Sequence, residues 1–362
     1  DEALPYLTSN TFSFKSKDKG KVIEKTNDYM VVEYDNGTHD FISFKDKAEK
    51  NSSNGFYIGI QLDSKLKVGD KFGKNDILAY DPLAYSNKTG TTDNIEYNIG
   101  TFCKVALLNT DEGYEDSAII SQKLSEDMAS EVILQVTKSV PKDANIYNMV
   151  KEGQAVKEGD TLFTLQMASD DEYVDQILRN LSDDESDMIS ELGRTNIKAE
   201  VTGTIQSIII KRTCEKSELS DTLLKLWNKY EGNINKQKSI MKKYGIDTSD
   251  VESTDKLDNQ GKLKKVDGLY IEINIKYNDK MSVGDKLIYY SAVKGVVKDI
   301  FPKGDEPYSD FRKNEKMDSL VSLGGINARM VTSVIKVGSL NKLLVELTRS
   351  CKDILDIPYK IE

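Results

Sequence analysis

The sequence predicts a mainly β protein with α-helical insertions, an α+β chain, and three observations carry that expectation. From Leu269 to Tyr277 apolar residues alternate with polar or charged ones, the period of a half-buried strand. Gly-Asp pairs recur at Gly69-Asp70, Gly159-Asp160 and Gly284-Asp285, each next to a short apolar run, where a tight turn is needed. Two stretches, residues 170–192 and 216–244, instead place apolar side chains at helical spacing.

The segment from Leu269 to Met330 organises the rest. Asn278 and Asp279 end the first strand, Gly284-Asp285 turns into a second led by Lys286, and Lys294-Gly295 heads a third apolar run at Val296-Val297. Short strands, tight turns and fixed cations describe a small barrel that presents cations from its loops. Toward the N-terminus, Gly20–Ile23 and Tyr29–Tyr34 read as strands and Asp35-Asn36-Gly37 as a turn. Further strands are expected at Tyr57–Ile60, Ile77–Ala79, Val132–Val136, Thr161–Leu165 and Glu200–Arg212. Val105–Leu108 suits a buried strand, and Asp116 or Ser117 suits a helix N-cap before Ala118-Ile119-Ile120. Within 170–192, Val174, Ile177, Leu178 and Leu181 form the apolar stripe of an acidic helix. Residues 216–244 read as one or two helices, a hairpin if broken near Gly232, and 245–264 as a polar, mobile stretch. After Val331–Val337 an amphipathic helix is expected over Leu340–Leu355.

Composition narrows the chemistry. The chain has 362 residues, 38% hydrophobic and 30% charged, enough for two or three domains with real cores. A net charge of −10 gives no global signature for nucleic acid, and residues 284–330 carry eight Lys/Arg against seven Asp/Glu. Cys103, Cys214 and Cys351 are isolated, which argues against a disulfide framework or a structural zinc site and for a reducing compartment. His39, the single histidine, sits in a turn, so histidine triads and His-based metal sites are excluded. No apolar run reaches the roughly 20 residues of a membrane-spanning helix. The chain opens on Asp, as expected of one that begins inside a longer product or follows trimming.

Several ordered motifs then carry a resemblance. Gly284-Asp285-Lys286, Lys294-Gly295-Val296, Asp305-Glu306-Pro307-Tyr308, Asp318 and Ala328-Arg329-Met330 stand in the order and spacing of the active-site barrel of the β subunit of multisubunit RNA polymerases. Asp76–Pro82 is similar to that family's D-x-L-A-D-G-P stretch, and Gly113-Tyr114-Glu115-Asp116-Ser117 to its G-Y-N-F-E-D element, two residues short. Where the family has a spacer rich in Gly, Arg, His and Asn, this chain has Ile288-Tyr289-Tyr290-Ser291-Ala292-Val293. Gly69-Asp70-Lys71 repeats the first motif out of context, so only the whole constellation is informative.

The resemblance implies a double-psi-type β-barrel with a flap-like arm and β-hybrid segments. It divides the chain into residues 1–130 (first part of the barrel and hybrid region), 131–268 (the arm), 269–340 (barrel motifs) and 341–362 (C-terminal helix and tail). It implies a C-terminal-half β polypeptide, most like the split β subunits of jumbo bacteriophage RNA polymerases, acting in the cytoplasm of an infected bacterial host. The reaction would be nucleotidyl transfer on a DNA template, in which positioning and charge neutralisation supply most of the catalysis. Lys286 and Lys294 would hold the RNA 3′-end backbone or the α-phosphate, and Arg329 would reach the incoming NTP triphosphate. Glu115 and Asp116 would face the second Mg2+, carried in with the nucleotide; acids favoured at a helix start explain the same pair without metal. Catalytic Mg2+ would be held mainly by a β′-like partner, since no Asn-Ala-Asp-Phe-Asp-Gly-Asp element occurs here. An N-terminal β-like subunit would complete the core, and Val174, Ile177, Leu178 and Leu181 would dock a promoter-specificity factor unless they form an ordinary amphipathic surface helix. The alternative is a non-catalytic β-rich scaffold or binding module, in which the lysines are dispersed surface charges.

Overall fold

The protein is described by a computed structural model over residues 11–45, 47–51, 56–86, 95–98, 100–109, 116–167, 194–249, 251–257, 266–289, 293–310, 312–328 and 332–356. It is mostly β with a few helices, and it divides into two units, one built from Asp1–Asn98 and Glu131–Tyr277 and the other from Ile99–Ser130 and Asn278–Glu362.

In the first unit the alternating stretch near Leu269 is the strand Gly268–Asp279, the heart of a six-stranded sheet. Leu269, Ile271, Ile273 and Ile275 are buried, each fully buried aliphatic contributing roughly 1.5–3 kcal/mol. Its antiparallel partner Gly203–Arg212 bulges between Ile205 and Ser207. At Gly203 an added Cβ would stand 2.3 Å from the Lys276 carbonyl oxygen, so only glycine lets the two backbones approach. Smaller sheets include the four-stranded His39–Ser43, Tyr29–Tyr34, Gly20–Lys25 and Lys71–Phe72. The 216–244 stretch is a single α-helix, Asp221–Lys243, capped by the Ser220 hydroxyl and running through Gly232 without a break. It buries Leu223 and Trp227 against the sheet, and this tertiary burial offsets the poor helix propensity of glycine. Part of the expected mobile stretch has a fixed path: the Leu257 amide donates to the Arg212 carbonyl.

The Gly-Asp turns share one construction. In Lys67–Asp70, Lys157–Asp160 and Ser282–Asp285 the Asp carboxylate accepts from the amide three residues back at 2.7–2.8 Å. The glycines sit at φ of +96°, +87° and +97°, the left-handed region that glycine enters freely.

The second unit is built on a five-stranded mixed sheet in the order Val105–Leu107, Ser319–Val321, Ser117–Ser121, Val293–Phe301, Lys286–Tyr289. Among the described residues this sheet is open and does not close into a barrel. Three expectations are corrected here. Ala118-Ile119-Ile120 is not the start of a helix but the buried centre of a strand, and the helix that follows, Gln122–Asp127, is capped by the Ser121 hydroxyl. A run of apolar residues with two adjacent isoleucines suits a strand flanked on both sides. Val105–Leu107 is an edge strand and therefore half-exposed rather than buried. The chain after Met330 is helical earlier than expected, as one helix, Thr332–Leu355, with Val334 in the core.

The glycines give a paired test. Gly232→Ala, in open space within the helix, is expected to raise the unfolding free energy by about 0.5–1 kcal/mol. Gly203→Ala is expected to lower it by about 1–3 kcal/mol. Chemical denaturation of both variants against the parent reads the two signs.

Candidate functional site

The Ser282–Asp285 turn launches a hairpin whose register pairs Lys286 with Val296 and Ile288 with Lys294. Cross-strand partners point to the same face, so Lys286 and Lys294 are diagonal neighbours on one side, with Cβ atoms about 7–8 Å apart. That face is exposed: Lys286, Ile288, Lys294 and Val296 all lie open to solvent. The two lysines singled out in the sequence are thus brought together by strand register.

The opposite face shows why glycine follows Lys294. Gly295 is buried, and a Cβ there would lie 3.2 Å from the Asp116 carbonyl oxygen. This close approach lets Val293–Phe301 pair in parallel with Ser117–Ser121, the Val296 amide donating to Asp116 at 2.9 Å. One small pocket results, lined among others by Asp116, Ser117, Lys294, Gly295, Ser322 and Ile326. Lys294 and Asp116, 178 positions apart by subtraction of their numbers, therefore share a pocket. Asp116 precedes a strand, so the helix-start explanation for this acid does not hold.

The sheet around this pocket is held by residues that sequence reasoning did not single out, among them Tyr289, Ser319 and Glu315, and by Asp318 and Glu306 of the ordered motifs. Tyr289, inside the divergent spacer, is buried and shares a hydrogen bond with the Ser319 hydroxyl, which donates to the Ile119 carbonyl at 3.1 Å. Burial of Tyr289 raises the pKa of its phenol well above the usual tyrosine value. Asp318 serves the backbone: its carboxylate accepts from the Lys104 amide at 2.9 Å and its carbonyl from the Ser121 amide at 2.7 Å. Burial, with the Asp318 carboxylate second, pushes the Cys103 thiol up to about 11. Glu306 accepts from Lys316 at 2.6 Å and the Gly304 amide at 2.9 Å, and the Lys316 ammonium foremost holds its carboxyl at about 2. Glu315 accepts from Arg349 at 2.6 Å and pairs with Lys104 at 3.2 Å, fastening the Thr332–Leu355 helix. Only the apolar character of Tyr289 and the charge pattern of Glu315 were visible in the sequence, and neither indicates a partner.

Glu115, Arg329, Val174, Ile177, Leu178 and Leu181 lie outside the described residues. Among the described residues no group of three or more His, Cys, Asp or Glu side chains could hold a metal ion. No helix among them is long and apolar enough to cross a membrane.

The sequence profile of RNA polymerase Rpb2, domain 6, matches residues 74–332, and the chain belongs to that family. Over 276 residues it is 28% identical to the DNA-directed RNA polymerase subunit beta of Mesomycoplasma hyopneumoniae in strain 7448, and equally in strains J and 232. The match takes in 73% of this chain but only 19% of those relatives, so the chain corresponds to about a fifth of their length.

The Glu315 clasp has a defined pH window. Arg349 first, then Lys104, holds the carboxyl at about 2 against an ordinary value of 4.5. A depressed carboxylate pKa stabilises the fold above the ordinary value, and the contribution fades as pH falls toward the folded one. Glu315→Gln is expected to lower the thermal midpoint at pH 7, with the gap to the parent closing between about pH 4.5 and 2. Thermal unfolding across that range checks it; a gap independent of pH would exclude the clasp.

Proposed function

We propose that this chain is part of the β-type subunit of a DNA-directed RNA polymerase and lends cations to its nucleotide-addition site. The single observation that carries this reading is the hairpin of Lys286–Tyr289 and Val293–Phe301, which sets Lys286 and Lys294 as diagonal neighbours on one exposed face. Lysine ammonium groups suit nonbridging phosphate oxygens, and two of them on a stiff hairpin hold a ribose-phosphate chain at little reorganisation cost. In this reading Lys286 and Lys294 fix the RNA 3′ end and the α-phosphate, and Arg329 approaches the triphosphate tail of the incoming NTP.

Asp116, with Glu115 before it, faces the metal carried in with the nucleotide. In this reading the chain meets Mg2+ through one or two carboxylates while a β′-like partner holds most of it. Bound Mg2+ would neutralise charge developing on the phosphates. The five-stranded sheet then forms part of a double-psi-type barrel, the stretch containing Val174, Ile177, Leu178 and Leu181 is the flap contact for a promoter-specificity factor, and an N-terminal β-like chain completes the subunit. DNA template, RNA product and NTPs are the ligands. In this reading the chain is a split, phage-encoded subunit working in the cytoplasm of an infected bacterium.

The test is RNA-primer extension on a DNA template by the complex that co-purifies with the tagged chain. Lys294→Ala is expected to slow nucleotide addition at least about a hundredfold, the scale seen when one preorganised charge-stabilising group is removed, with subunit composition unchanged. Equal extension by mutant and parent complexes would leave the non-catalytic scaffold.

A further inference from the structure

The Asp221–Lys243 helix carries a surface that the proposed chemistry does not use. Between its ends stand six lysines against two acids, in a chain whose net charge is −10. Lys225, Lys229, Lys236 and Lys243 fall at steps of 4, 11 and 18, which at about 3.6 residues per turn keeps them within about 40° of one another. The buried Leu223, Trp227 and Met241 lie about half a turn away, so the row is the face turned from the core. All four lysines are exposed, and a Cβ added at Gly232, which borders the row, would meet open space. Lys243 is engaged at one end by Glu24 at 3.5 Å, and Asp221 stands one turn before Lys225 at the other. Glu231, the second acid, is turned aside and meets Lys216 at 2.6 Å. Among the described residues Lys225, Lys229 and Lys236 make no ion pair or hydrogen bond.

We infer that this row is a seat for the phosphate backbone of double-stranded DNA, held without regard to base sequence. Charge selects a polyanion: the three unengaged ammonium groups span about 16 Å of a stiff helix, and each phosphate they neutralise releases condensed counterions. The neighbours of the lysines select which polyanion. A protein partner calls for apolar or aromatic anchors, and lysine is depleted from such contacts. An anionic membrane calls for an apolar stripe beside the cations. A single strand is held by stacking on aromatic side chains. No aromatic residue of the helix lies on this face, and its nearest aliphatic one, Ile240, is half-buried at the border. Backbone contact to a duplex needs only cations and hydrogen-bonding groups, and Asn228 and Ser239, both exposed, flank the row. The choice of DNA rests on the template reading proposed above, whereas the roles of Lys286, Lys294 and Arg329 do not enter.

The full chain, and the complex that co-purifies with it, are titrated onto a short promoter-free DNA duplex by fluorescence anisotropy over a range of salt. Three phosphate contacts contribute a log–log salt slope of about −2.7, so Lys225→Gln/Lys229→Gln/Lys236→Gln is expected to lessen the slope by roughly that amount. Between about 50 and 200 mM salt the parent is then expected to lose roughly fortyfold more affinity than the variant. Circular dichroism is expected to stay that of the parent, because glutamine suits a helix as well as lysine does. The corresponding triple Arg variant, still cationic, is expected to keep the parent slope. So is Lys65→Gln/Lys151→Gln/Lys157→Gln, which removes the same charge from exposed positions elsewhere. An unchanged slope in the first variant, an equal fall in the last, tighter binding to a single strand than to the duplex, or binding to phosphatidylglycerol vesicles that the first variant abolishes would each overturn the inference. Primer extension separates the two readings: extension by a complex whose slope the first variant leaves unchanged removes the DNA seat alone. A lessened slope in a complex that extends no primer removes the polymerase reading and leaves the seat.

Discussion

The second unit depends on one buried strand. Ser117–Ser121 pairs antiparallel with Ser319–Val321 on one side and parallel with Val293–Phe301 on the other. A parallel pairing cannot be closed by a short turn and needs a long crossover, and here the chain between the two strands includes Glu131–Tyr277, which belongs to the other unit. The cost of closing so long a loop grows only slowly with its length, so a sheet can tolerate the excursion provided its own contacts are good. Ala118, Ile119 and Ile120, all buried, supply those contacts. The strand is therefore both core and hinge of register: it decides which residue of the hairpin stands beside Asp116.

That constraint explains the mixture of kept and altered residues around Lys294. Gly295 faces the Asp116 carbonyl at a distance that leaves a side chain little room, so the backbone sets the residue. Lys294 and Lys286 face away, where packing imposes nothing; their presence there is a matter of charge. The divergent spacer adopts a third solution. Tyr289 turns into the core and is joined to Ser319, so a stretch without the family's polar character still anchors the end of the hairpin. A buried phenol needs such a partner, because an unpaired hydroxyl in that position carries a desolvation cost of about 1–3 kcal/mol.

The Gly-Asp turns teach a related lesson about motifs. The same glycine conformation and carboxylate-to-amide bond occur at Asp70, Asp160 and Asp285. The dipeptide is a device for turning the chain, and it does so at three places here. What distinguishes the third copy is the hairpin that follows it and the strand that the hairpin packs against. A dipeptide match reports local geometry, whereas the pairing of the hairpin with Ser117–Ser121 sets the third copy apart.

Much of the fold was legible in the sequence, because period-2 alternation and turn chemistry are local: Gly268–Asp279, Tyr29–Tyr34 and the lysine hairpin were expected where they are found. The errors have local causes too. Ala118-Ile119-Ile120 has no alternation because both its faces are covered, and a short apolar run of that kind reads equally as helix or strand. Gly232 and the Val331–Val337 run argue locally against a helix, and tertiary packing overrode both. In the site, the sequence by itself determined the identity of the cations, their spacing along the chain and the turn that precedes them. Only the tertiary structure decided that Lys286 and Lys294 share a face, that Lys294 and Asp116 line one pocket, that Tyr289 is joined to Ser319 beside it, and that Glu315 fastens the Thr332–Leu355 helix. Those relations arise from the pairing of strands far apart in the chain, and strand register is fixed by what is buried across the sheet, which no local pattern contains.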